Sequence, residues 1–497
     1  MAPPRASVRP DRPNPTRRSL VAAIAAEPLA GPLARAQGAA TPADLAGDIA
    51  ILRDALALHP GLYRYNRPAE IDARLTRLSR AFAASTSSEA RYLLLARFTA
   101  TIRCGHSYAN FFNQSDAVAA QLFDRPTRLP FHFAWIDRRM VVLRDAAGLG
   151  MPVGSIVTRL NGADPARMLD RLVPLTRADG HNDAKRVSLL EVRGDEPIET
   201  FDVLHGLAFG APAEGVHRLD VRLPDGGERR IEAPAIGLAA RRATMRTRDY
   251  RGADPVWDWA MRPDGIAVLT MPGWALYNSR WDWRGWLDAR LGSLGGARGL
   301  IIDLRENEGG EDIGDRILAR LIDRPLTLSG AERRVRFRTT PAALNPYLDT
   351  WDRSFRTLGE GAEPVGGGFY RLTGERGDDS IQPAGSRLTL PVAALIGPVN
   401  SSATFQFAAK ARASGAVRLF GSTTGGNRRG INGGAFFFVR LPASGLEVDL
   451  PLIGYFPPGA PPDAGIVPDV SVRASAADIA AGRDPVLAAA TNWIARG

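Results

Sequence analysis

Two turns in the C-terminal half of this 497-residue chain carry residue types able to attack and hold a carbonyl group. One is Gly397-Pro398-Val399-Asn400-Ser401-Ser402, which follows the apolar run Val392-Ala393-Ala394-Leu395-Ile396 and leads into a helical pattern from Ala403 to Ala409. A serine so placed is usually only a helix cap. Its hydroxyl can also attack a carbonyl, and the N–H of Ala403 can then hold the developing oxyanion. The other turn is Arg305-Glu306-Asn307-Glu308-Gly309-Gly310, after the strand-like Leu300–Leu304. Paired glycines let backbone N–H groups point outward with no Cβ in the way, and a helix predicted from Glu311 adds partial positive charge. Gly309 and Gly310 therefore read either as a plain loop or as half of an oxyanion hole.

A third stretch, Gly421-Ser422-Thr423-Thr424-Gly425-Gly426-Asn427-Arg428-Arg429-Gly430, is glycine-rich but lacks the Lys-Ser/Thr ending of a phosphate loop. A substrate-facing loop through Gly425, Gly426 and Asn427, with Gly310 opposite, fits better than a nucleotide cradle.

Taken in order, these segments resemble the motifs of the C-terminal-processing and tricorn-core serine peptidases. Leu300–Gly310 is similar to their LIIDLRxNxGG motif, and Asn400-Ser401-Ser402-Ala403 to their nucleophile motif. Gly421–Asn427 is similar to their GExTxGK loop, and Gly465-Ile466-Val467-Pro468-Asp469-Val470 to their GVxPD end. The resemblance covers roughly residues 260–473. It implies peptide-bond hydrolysis by a serine nucleophile, with no metal or organic cofactor, on a mixed sheet of the ClpP/crotonase-like kind.

The base is where the chain departs from part of that family. One branch uses the loop lysine, but Asn427 stands at that position, and neither it nor Arg428 or Arg429 takes a proton at neutral pH. The chain has only two lysines. Lys410 lies eight residues beyond Ser402 on one helix, about 12 Å along it; Lys185 falls outside the expected catalytic region. The tricorn and retinoid-binding-protein-like branch uses a histidine from an upstream "GHT" or "SH" motif, which Arg103-Cys104-Gly105-His106-Ser107-Tyr108 resembles. The resemblance therefore implies His106 as base, with Ser107 as a supporting hydroxyl, and an acid just before the GVxPD element. Asp463 occupies about that place; Asp449 is its rival.

Several elements must position these residues. Leu45, Ile49, Leu52 and Leu56 recur at helical spacing, and Leu93, Leu94, Leu95 and Phe98 continue an apolar face, so residues 41–115 are expected to form a helical domain. Residues 120–245 read as β-rich, with alternation over Phe131–Val142 and Leu219–Ile231. Within them Gly154–Gly162 resembles a short segment of peptide-binding PDZ domains, which implies a PDZ-like middle domain. From 255 to 480, buried-type strands followed by turns and helical patterns argue for a partly parallel α/β sheet, whose ligands bind at the carboxyl ends of its strands. The expectation is thus a multidomain α/β protein.

Composition narrows the function. Hydrophobic residues make up 45% and charged residues 23%, a globular balance. Six arginines against two acids in residues 1–36 place +4 of the +10 net charge there. The remainder holds no dense basic run, and aromatics are only 7%, so nucleic acid is not an expected partner. The single cysteine, Cys104, excludes an internal disulfide and a cysteine metal cluster. Arg17-Arg18, a small-residue apolar stretch over Leu20–Leu33, and Ala34-Arg35-Ala36 read as a twin-arginine signal peptide over residues 1–36, hence a periplasmic or extracellular protein. No later stretch approaches the ~20 apolar residues of a membrane span. The partner expected is a peptide or protein. Two other readings share the fold: a non-catalytic binder of apolar ligands or peptides, and an esterase.

Overall fold

The computed structural model describes residues 40–246, 248–327, 331–373 and 380–496. Residues 1–36, expected to be a signal peptide, lie outside the described residues.

The N-terminal part is helical, over Pro42–Leu56, Pro68–Ala83, Ser88–Ala100 and Asp116–Phe123. Local chemistry sets the starts. Thr41 and Asp44 form a reciprocal capping box before Pro42, and Ser87 Oγ accepts from the Ala90 N–H. The periodic residues Leu45, Ile49, Leu52 and Leu56 are all buried. Leu95 and Phe98 are buried too, whereas Leu93 and Leu94 are only half-buried.

The middle region is an antiparallel sheet of five strands in sequence order, Phe131–Ile136, Arg139–Asp145, Ile156–Leu160, Val216–Arg222 and Glu228–Pro234. Helices Pro165–Leu172, Asp183–Leu189 and Thr200–Phe209 are inserted between its third and fourth strands. The segment Gly154–Gly162 is indeed a strand entering a turn, with Asn161 and Gly162 at φ +52° and +80°.

A second antiparallel sheet has no counterpart in the sequence reading. Its six strands include Glu332–Val335, Asn432–Arg440 and Glu447–Phe456. One hydrophobic cluster joins the helices, the five-stranded sheet and this sheet, running from Leu45 through Phe133 to Ile453.

The third sheet is the expected partly parallel one. In spatial order its strands are Val470–Ser471, Arg418–Gly421, Val392–Ile396, Gly299–Asp303, Ile266–Thr270 and the antiparallel edge Asp258–Met261. Alternate side chains feed two cores. Leu300, Ile302, Ala394 and Ile396 pack with Leu287, Ile317 and Phe407; Ile301, Ala393 and Leu395 pack with Val486, Ala490 and Ile494 of the C-terminal helix. Each such Leu or Ile contributes about 1.5–3 kcal/mol of burial. Because neighbouring strands are parallel, the turns after 303, 396 and 421 emerge at one edge.

Candidate active site

Asn400 builds the serine turn. Fully buried, it accepts from the Gly397 N–H through Oδ1 at 2.7 Å and donates through Nδ2 to Leu304 O and Asn307 O. Its backbone oxygen accepts from the N–H groups of Gly425 and Gly426, at 2.6 and 3.0 Å. One residue, through its side chain and its backbone oxygen, thus fastens all three glycine turns together.

Ser401 and Ser402 divide two roles between them. Ser401 caps the helix Ser402–Ser414, is 1% exposed, donates from Oγ to Glu308 O at 3.2 Å, and accepts from Lys185 Nζ. Ser402 is half-buried and sits at φ +51°, a left-handed conformation that costs a non-glycine residue on the order of 1–2 kcal/mol. Gly309, at φ +125°, lies against it. A Cβ there would be 2.9 Å from both Ser402 Cβ and Ser401 O, and 3.1 Å from Ala403 N.

The glycine pair differs from expectation in one respect. The Gly309 N–H is already spent on Asn307 Oδ1 at 2.9 Å. The Gly310 N–H has no hydrogen bond among the described residues, nor has the Ala403 N–H at the helix start, so the available donors are Gly310 and Ala403. The helix also begins at Ile313 rather than Glu311.

His106 is half-buried, with its ring 5.9 Å from that of Phe436. Its Nδ1 is buried without a hydrogen-bond partner. Burial pushes its pKa below the ordinary histidine value; Asp179 and Glu308 pull it back, while Arg177 and Lys185 add to the depression. The imidazole is thereby kept neutral and able to accept a proton. Ser107 does not support it. Its Oγ lies 2.8 Å from Nε2 of the buried His59, whose Nδ1 accepts from the Gly61 N–H. Burial drives His59 down to about 3, so that pair is neutral scaffolding.

The largest departure from the sequence reading is the segment Arg177–Lys185, which crosses the site. Arg177 grips Glu308 with two bonds, 2.7 and 3.0 Å, and donates to Gly105 O. Lys185, 0% exposed, donates to Glu308 Oε1 at 2.6 Å and to Ser401 Oγ. Burial alone would raise Glu308, but Arg177 and Lys185 together outweigh it and hold the carboxylate well below its usual range. Asp179 Oδ1 accepts from the Gly105 N–H at 2.8 Å. Lys185 therefore belongs to the site, contrary to its expected exclusion. Lys410 does not; it is paired with Asp315 at 2.8 and 2.9 Å.

Other expectations change as well. Asp463 does not contact His106. Its Oδ1 accepts from the His181 N–H at 3.1 Å and Asn427 Nδ2 at 2.7 Å, and its Oδ2 meets His181 Nδ1. Its rival Asp449 is buried, takes bonds from Asn110 and Asn113, and is pushed up to about 7 by that burial. Gly425, Gly426 and Asn427 are buried rather than substrate-facing. Added Cβ atoms would strike Pro398 O at 2.1 Å and the Phe405 ring at 2.3 Å, so these glycines serve close packing.

No curated protein matches the chain by sequence. Residues 265–472 match peptidase family S41. Among solved structures, mature CPAF complexed with lactacystin is similar at 17% identity, covering 92% of this chain and 97% of that one with a TM-score of 0.61. A second structure of mature CPAF gives 16% identity, 91% and 96% coverage, and 0.59. The match over 265–472 spans most of the partly parallel sheet and its turns, and the matched family is the one the sequence motifs resemble. Among the described residues no helix is long and apolar enough to cross a membrane, and no group of side chains is set to hold a metal ion.

Proposed function

We propose that this chain hydrolyses peptide bonds through an acyl-enzyme on Ser402, with His106 as general base. The observation that carries this reading is the strained, solvent-reachable Ser402, held at φ +51° against Gly309 and flanked by the unpaired N–H groups of Ala403 and Gly310. Ser402 Oγ attacks the carbonyl carbon as its proton passes to His106 Nε2. The oxyanion rests on the two N–H groups. His106 then returns the proton to the departing amine, and water, deprotonated by the same imidazole, hydrolyses the ester.

The Lys185–Ser401 bond favours a second reading, a serine–lysine dyad on Ser401. Two facts weigh against it. Ser401 is 1% exposed, and the Lys185 ammonium is ion-paired to a carboxylate that stays charged. A fluorophosphonate probe followed by peptide mapping separates the readings: the adduct is expected on Ser402, and an adduct on Ser401 refutes the assignment. Ser402→Ala and His106→Ala should each lower kcat by several orders of magnitude. A protein that never labels is the apolar binder instead, and one that turns over esters but no peptide is the esterase.

A further inference from the structure

We infer that Asp179 is the residue that positions the His106 imidazole, accepting the Nδ1–H through its free oxygen Oδ2. This rests on the proposed role of His106.

The argument is one of elimination followed by fit. A histidine base needs its far ring nitrogen held, so that the proton sits on Nδ1 and the lone pair of Nε2 faces the nucleophile. Three acids compete for that task. Asp463 spends Oδ1 on Asn427 and the His181 N–H, and Oδ2 on the His181 ring. Asp449 spends both oxygens on the amides of Asn110 and Asn113. Asp179 uses only Oδ1, on the Gly105 N–H; Oδ2 is buried without a partner.

His106 Nδ1 is the matching orphan: buried, polar and unpaired. Such groups are rare because each costs about 1–3 kcal/mol. The two are not bonded to each other in this structure, but both adjoin Gly105, one on the next residue and the other against its Cα. A Cβ on Gly105 would lie 2.9 Å from Asp179 Oδ2, so the carboxylate rests against the backbone immediately before His106. The glycine keeps that space open. The groups acting electrostatically on the imidazole are Asp179 and Glu308, which favour its charged form, and Arg177 and Lys185, which oppose it. Glu308 is neutralised by both cations, at 2.6–3.0 Å, which leaves Asp179 as the anion free to stabilise the imidazolium. No bond is made or broken by Asp179. The Nδ1–H stays on the ring throughout, and only the Ser402 proton moves, to Nε2 and then to the leaving amine.

Asp179→Asn tests this, since the amide oxygen can still accept from the Gly105 N–H. The expected result is a kcat lower by about 10³–10⁴-fold with KM little changed, as for loss of an orienting acid elsewhere. The fluorophosphonate rate on Ser402 should fall in parallel. In ¹³C-histidine NMR the His106 titration should move to lower pH, and with it the rising limb of kcat/KM. Asp179→Glu should recover part of the loss. Full activity with an unmoved His106 titration overturns the inference, as does a fall in thermal stability alone. Active Asp179→Asn beside dead Ser402→Ala and His106→Ala refutes only the role of Asp179. Active Ser402→Ala or His106→Ala refutes the underlying mechanism.

Discussion

Gly309→Ala puts a single methyl group against Ser402, the proposed nucleophile. The added Cβ would be 2.9 Å from Ser401 O and from Ser402 Cβ, where ordinary contact begins at 3.4 Å, so the serine turn must retreat by roughly 0.5 Å. At φ +125° the alanine is itself strained, by about 1–3 kcal/mol. That strain lowers Tm by only a few degrees, since about 2–4 °C per kcal/mol is an upper limit for a chain of this size. Chemistry suffers more. Misplacing reacting groups by 1 Å costs about 10²-fold, so half that shift costs about 10-fold. Turning the Ala403 N–H off the oxyanion adds up to the ~10²–10³-fold of a lost donor. We expect kcat to fall between about 10- and 10⁴-fold with KM little changed, measured by steady-state hydrolysis of a peptide ester alongside the fluorophosphonate rate. Gly292→Ala is the control. It lies at the end of the helix Trp283–Gly292, with nothing within 4 Å of an added Cβ, and should leave kcat alone. Wild-type kcat in Gly309→Ala would refute the placement of Ser402 as the attacking residue.

Two further outcomes are expected. Lys185→Met removes one partner of a buried ion pair, a loss of about 3–5 kcal/mol in general and at the low end here because Arg177 still binds Glu308; the melting temperature should fall while the probe still labels Ser402, and a fully stable yet unreactive variant would instead give Lys185 the proton-transfer role. Arg17→Lys with Arg18→Lys should trap the precursor in the cytoplasm, read by immunoblot of cell fractions, and normal export of the double variant would refute the twin-arginine route.

What the sequence disclosed follows from how local each signal is. The run Val392–Ile396, buried on both faces between parallel neighbours, is legible because all five residues are apolar. The serine and glycine turns announce themselves because their residue types are forced by tight backbone geometry at that spot. The Arg177–Lys185 segment left no such mark. Its partners Gly105, Glu308 and Asp463 lie 72 to 282 residues away, and contacts of that span impose no period on the chain. One signal was present. In a chain that writes all but two of its Lys/Arg positions as arginine, a lysine stands out, since its ammonium fits where a planar guanidinium does not. The antiparallel sheet went unread because strands such as Glu332-Arg333-Arg334-Val335 are short and charged.

The route by which the chain assembles gives the pinning of Glu308 a wider meaning. The Glu308 carboxylate is held by Arg177 and Lys185, while its backbone oxygen accepts from the Ser401 hydroxyl. During synthesis the proposed base, His106, emerges some 300 residues before the proposed nucleophile, Ser402, and on that reading neither has a reaction partner until the segment Arg177–Lys185 is folded against Glu308. A nascent chain would then carry the proposed base without the proposed nucleophile for most of its elongation. Two fragments divided between residues 185 and 308 would each be inert, and hydrolysis on mixing them would report their reassociation directly.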